Sequence, residues 1–326
     1  MHSQERIKKG GETMEKGYEI NFISFSDYLS NNGKAKENNI TTDASFREKA
    51  LDFAHPVDAK IIRALDNPIV NQAFSQFVKL STDLNYGLML STGIRQDNQD
   101  SEVASVVYKC AEVLGIEVPY TVVSSSVPGL NAMTVGTDGE NCIALSGLMK
   151  ALMDKNELTF VIGHECGHIA LGHVLYHTVM NTVRTTAELI PVVGHGVYTL
   201  VAWPLMAWYR RSEISADRAG LLCCGSVDVA CKTLLRLECG FIDTSELNVD
   251  EYVLNTNQTL QNSVLGRYKE LLHEHPILAK RIEALRLFAQ SEKYYRISGK
   301  RVTEEMSLIS DNELDQRTEM IIRVMD

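Results

Sequence analysis

An α+β fold, mainly helical and with one small three-stranded sheet, is predicted for this 326-residue chain by three observations. Apolar residues recur at helical spacing over most of the length, and β-branched runs are confined to residues 118–146. The stretch Val161-Ile-Gly-His-Glu-Cys-Gly-His-Ile169 sets two histidines four apart, a spacing that a helix turns onto one face. A hydrophobic content of 44% against 23% charged residues suffices for a sizeable core, which reads as one main domain over residues 45–290.

The segment 1–44 is polar, contains Asn31-Asn32-Gly33 and sustains neither period, so it reads as a mobile arm. Its first 18 residues hold Arg6, Lys8, Lys9 and Lys16 but no apolar core of signal-peptide length, which places the protein in the cytoplasm. Seven cysteines without a C-x-x-C pair fit free thiols in a reducing compartment. A net charge of -10 excludes a nucleic-acid surface, which needs clustered Lys and Arg.

Residues 46–117 supply scaffold helices, broken at His55-Pro56 and Asn67-Pro68; His55 reads as a loop histidine beside a helix start. The runs 119–123, 132–135 and 141–145, separated by Pro128-Gly129 and Asp138-Gly139, make the three strands. Asp154 and Glu157 form a capping box that opens a helix over 155–178. Gly163 and Gly167 thin one face of it at a cost of roughly 1 kcal/mol each, which implies that another backbone approaches closely. Cys166 and the Cys223-Cys224 pair read as core filler.

Residues 189–209 hold no Asp, Glu, Lys or Arg and are long enough to cross a bilayer, since about 20 apolar residues do so. A single crossing, however, would put residues near 165 and near 213 on opposite sides of the membrane. The expectation is a bent apolar hairpin over 187–209, broken at Pro191, Gly194, Gly196 or Pro204. It would pack on the core, shield a cleft or touch a membrane surface with Trp203, Trp208 and Tyr209.

In His-Glu-x-x-His, two imidazoles can close on one metal ion while the glutamate, Glu165, addresses a metal-bound water; the plain alternative is two unrelated helix histidines. A catalytic zinc needs three protein ligands and one open position. The metzincin continuation would require glycine at 171 and histidine at 174, where the chain has Leu171 and Val174. His173 and His177 fall well round the helix and read as packing or surface residues. The candidate third ligand is Glu213, four residues before Asp217 on an apolar helix over 212–225, where unpaired carboxylates would be costly.

These residues resemble the HtpX-like and CAAX prenyl protease group of zinc endopeptidases, metallopeptidase family forty-eight. The resemblance rests on Gly163-His-Glu-Cys-Gly-His168, on Glu213-x-x-x-Asp217 with Arg218-Ala-Gly220, on Asn131-Ala132 before a strand, and on His275-Pro276 with Arg281-Ile282. It extends loosely from His55 to Ala289 and is nearest to members with helical sequence in place of N-terminal membrane spans. It implies a gluzincin-like peptidase domain holding one Zn²⁺ per chain through His164, His168 and Glu213, with Glu165 as general base. Asp217 would orient a zinc histidine, with Arg281 nearby, and His275 would stabilise the oxyanion, although a plain helix start after a turn also explains it. Asn131, Ala132 and Met133 would form the edge strand that binds a protein or peptide substrate in extended form. A latent or non-catalytic zinc-stabilised peptide-binding protein is the alternative. Residues 291–326 read either as a further helix or as a regulatory appendage.

Overall fold

The structure, a computed structural model, describes residues 50–65, 93–96, 101–137, 140–177, 191–240, 248–261 and 276–323. The arm over 1–44, residues 66–92 of the segment read as scaffold helices, and His275 lie outside them. Helix α1 (Pro56–Leu65) starts on a proline, whose missing N–H costs nothing at that position. The ring of His55 caps it, Nδ1 accepting from the Val57 N–H at 3.3 Å, so the loop-histidine reading holds. Helix α2 (Glu102–Leu114) buries Val103, Val106, Val107, Cys110 and Leu114 and ends on Gly115 in the left-handed region.

The sheet has four strands where three are expected. To β2 (Tyr120–Ser124), β3 (Ala132–Thr137) and β4 (Glu140–Ser146) is added β1 (Ile94–Arg95), inside the segment read as helical. Two residues show no period, and β1 is a strand only because it pairs antiparallel with Val122 and Val123. The order is β1-β2-β4-β3, with β2 parallel to β4 and β3 antiparallel to it, so β3 is an edge.

Helix α3 (Gly147–Leu152) follows the sheet and α4 (Lys155–Ala170) carries the His-Glu motif. The expected capping box is present: Asp154 Oδ1 accepts from the Asn156 and Glu157 N–H groups, and Glu157 Oε2 accepts from the Asp154 N–H. The helix does not run unbroken to 178. It stops at Leu171-Gly172, where Gly172 has φ 68, and helical conformation resumes at His173.

The apolar hairpin expected over 187–209 is also corrected. Residues 191–209 and the third-ligand segment belong to one 34-residue helix, α5 (Pro191–Cys224), about 50 Å long at 1.5 Å per residue. Pro191 is at its first position, two glycines cost only about 1 kcal/mol each, and an interior proline bends a helix without reversing it. Among the described residues no helix is long and apolar enough to cross a membrane.

Helices α6 (Val227–Cys239), α7 (Val249–Gln261) and α8 (Leu278–Ala289) complete the scaffold. The tail forms α9 (Glu292–Ser298) and α10 (Asp311–Ile322), whose Tyr294 and Leu314 join the main core. Arg218 of α5, fully buried, binds the Phe53 and Ala54 carbonyls and the Thr318 hydroxyl, joining the first described residues to α10.

Helices α4 and α5 share the most extensive helix contact. A Cβ added to Gly167 would sit 2.6 Å from the Ala219 Cβ and 3.2 Å from the Ala216 Cα; one on Gly220 would sit 2.8 Å from the Phe160 carbonyl oxygen. This is the close backbone approach that the glycine spacing implies. Gly167→Ala should therefore lower the melting temperature, because overpacking costs about 1–3 kcal/mol against about 1 kcal/mol of helix propensity gained. A higher melting point in a calorimetric scan would contradict the contact.

Burial, with Arg218 and Arg211 close by, lowers the pKa of His55 to about 3. Its Nε2 lies 3.5 Å from Glu319, but that carboxylate is held by Arg211, so the ring is neutral and the contact is not an ion pair. The unfolded chain protonates this ring near pH 6.5 and the folded chain does not. The group's contribution is thus present above pH 6.5 and is lost as the pH falls toward 3, roughly 2 kcal/mol between pH 7 and pH 5. Denaturant midpoints should show a shallower pH slope over that range in His55→Gln; an unchanged slope would argue against the shift.

Candidate metal centre

Two helical repeats, one on α4 and one on α5, build the site. His164 and His168 are four apart on α4, Glu213 and Asp217 four apart on α5, and the glycine seam brings the two faces together. The His164 and His168 Nε2 atoms are 3.1 Å apart, and they lie 3.6 and 3.4 Å from the Glu213 carboxylate oxygens. Ligands at 2.0–2.1 Å from a tetrahedral zinc are separated by about 3.3–3.4 Å. The two Nε2 atoms and the Glu213 carboxylate, which turns one oxygen to each of them, therefore approach the spacing of donors around such an ion.

The chemistry of the donors agrees. Glu213 is 2% exposed and Asp217 1%, and Arg281 is the cation beside both, with Nη2 3.5 Å from Glu213 and Nε and Nη2 2.8 and 2.7 Å from the two Asp217 oxygens. Two buried carboxylates and two imidazole nitrogens that face each other are donors suited to a cation.

Asp217 Oδ1 is 3.0 Å from His164 Nδ1, which turns the other ring nitrogen toward the cluster. Burial alone would raise the Asp217 pKa, but Arg281 and His164 outweigh it and hold the carboxyl below its ordinary range. For His164, burial lowers the pKa while the Asp217 hydrogen bond and the Glu213 charge raise it further, so the net shift is upward. For His168, burial prevails and the net shift is downward.

Glu165 is buried beside the cluster, its Oε2 accepting from the Thr134 hydroxyl of β3 at 2.6 Å. A cleft of about 600 Å³ opens on these groups, lined by Asn131, by Ala132, Met133 and Thr134 of β3, by His164, Glu165, His168 and Glu213, and by Arg281 of α8. The structure thus brings together every expected site residue except His275, which is outside the described residues.

Of the two readings of His173 and His177, packing or surface, burial supports packing. Both are buried, His173 Nδ1 lies 2.9 Å from His168 Nδ1, and the two rings form a second cluster with His168. The turn at Gly172 returns them to the site. A helix-ending glycine was the available signal, whereas nothing local points to Thr134 or to Asp58, which His173 also contacts. Cys166 is fully buried, as a filler should be.

Residues 97–289, more than half of the chain, match the model of peptidase family M48. The chain is 27% identical over 252 residues to the plastoglobule-localized metallopeptidase 48 of Arabidopsis thaliana, covering 71% of each protein. It is 27% identical over 225 residues to the protease HtpX of Shewanella loihica, covering 59% of this chain and 75% of that one. No solved structure matches it. With the metal-ready cluster at the centre of the matched segment, the chain belongs to peptidase family M48 and is a metalloprotease of that family.

Proposed function

We propose that the protein is a zinc metalloendopeptidase that hydrolyses peptide bonds in proteins or peptides, with one Zn²⁺ held by His164, His168 and Glu213. The reading is carried by the convergence of those three ligand atoms at the floor of a cleft that also holds Glu165. Zinc bound there would supply Lewis acidity, polarising the scissile carbonyl and acidifying a water. Glu165 then takes a proton from the attacking water and delivers it to the nitrogen as the C–N bond breaks. Thr134 holds one Glu165 oxygen and leaves the other for that proton.

The edge of β3 lies in the same cleft, and an extended peptide would pair with it beside Asn131, Ala132 and Met133. Asp217, clamped by Arg281, orients His164. His275 is assigned to the oxyanion on the family resemblance alone. We place the protein in the cytoplasm. The 189–209 segment is its candidate membrane-surface contact, a location for which the plastoglobule relative offers a parallel.

Glu165→Gln should reduce hydrolysis of a casein-type substrate roughly 100- to 10,000-fold while zinc stays bound at one per chain. Hydrolysis that survived the substitution would sink the mechanism. Asp217→Asn should weaken zinc retention roughly 10- to 100-fold and activity with it; full retention against a chelator titration would show that Asp217 does not orient the ligand.

A further inference from the structure

His164 has a carboxylate behind it, Asp217, whereas behind His168 there is a second imidazole. His173, fully buried, places Nδ1 2.9 Å from His168 Nδ1 and Nε2 3.1 Å from Asp58 Oδ2. Asp58, on α1 and also fully buried, has its other oxygen taken by the Trp208 indole N–H of α5 at 2.8 Å. The chain His168, His173, Asp58, Trp208 thus runs through α4, the segment after Gly172, α1 and α5. No residue in it beyond His168 reaches the cleft.

The direction of each hydrogen bond follows from the acceptor at the end. An ionised carboxylate only accepts, so His173 donates its Nε2–H to Asp58. A metal held at His168 Nε2, the nitrogen that faces Glu213 and His164, would leave that ring's hydrogen on Nδ1, so the 2.9 Å contact has His168 Nδ1 donating to His173 Nδ1. His168 Nε2 is left without a proton, facing Glu213 and His164.

We propose that His173, fixed by Asp58 and Trp208, is a positioning residue that locks His168 in the Nδ1–H tautomer and so presents its Nε2 lone pair to the metal. The inference rests on the metal-centre reading above. It gives the two ligand histidines different partners, one anionic and one neutral, and gives the buried Asp58–Trp208 pair a function in metal retention.

Asp58→Asn tests it with almost no change of shape. The Trp208 N–H keeps the amide oxygen on its side, so the amide NH₂ faces His173 Nε2; every hydrogen bond in the chain then reverses and His168 Nε2 acquires the proton. The zinc Kd of the full chain, measured by competition with a chromophoric chelator, should rise roughly 10- to 100-fold. His173→Leu should weaken binding comparably, and His173→Asn, which restores an acceptor oxygen near the Nδ1 position, should weaken it less. Should a variant not fold, long-range ¹H–¹⁵N spectra of the unsubstituted protein loaded with zinc give the same answer, with His168 protonated at Nδ1 and His173 at Nε2. The opposite tautomers, or unchanged zinc affinity in Asp58→Asn and His173→Leu, would overturn the proposal while leaving the zinc site standing. Two zinc ions per chain, one of them lost in His173→Leu, would overturn it as well by making the triple-histidine cluster a metal site. An unsubstituted chain that binds no zinc would remove the metal-centre reading and this inference together.

Discussion

The contact between α4 and α5 along Gly163, Gly167 and Gly220 is the constraint from which the site follows. Helix α4 carries His164 and His168 and α5 carries Glu213, and neither helix completes the candidate ligand set alone. A metal–ligand bond tolerates an error of only a few tenths of an ångström. The separation of the helix axes therefore has to be set by something stiffer than side-chain packing. Backbone against backbone, with Gly167 under Ala216 and Ala219 and Gly220 under the Phe160 carbonyl, provides that stiffness. The helix propensity lost at the glycines is small beside the burial of Phe160, Ile162, Leu158 and Leu221 around the seam.

Once the two helices are so close, their polar groups are out of water and must satisfy one another. Arg281 answers Asp217 with two hydrogen bonds, Arg236 answers Glu157 at the start of α4, and Trp208 and His173 answer Asp58. Breaking any of these pairs would leave a buried charge, which is why the site's geometry and the fold's stability are a single problem. Arg218, also buried, joins residues 53 and 54 to α10.

Much of the centre is legible in the sequence because its residues obey short-range rules. His164 with His168, and Glu213 with Asp217, are four apart, and helical geometry alone puts each pair on one face. The capping box at Asp154 and Glu157 is likewise a local pattern. The features that the sequence misleads about have the opposite character. The apolar run before Glu213 contains prolines and glycines that locally favour a bend, yet it continues as one helix. The end of α4 at Gly172 is masked by a helical period that carries on past it. Strand β1 has no local signature, since two residues become a strand only through their partner.

The residues of the candidate metal site were legible in the linear order of the chain, because a helix converts spacing into direction without help from the rest of the molecule. Which groups stand behind those residues was settled only when the chain folded. Asp58 and His173 are 115 positions apart, and Thr134 and Glu165 are 31 apart. Contacts of that range are made by packing, through the glycine seam and the turn at Gly172, and no periodicity in the sequence encodes them.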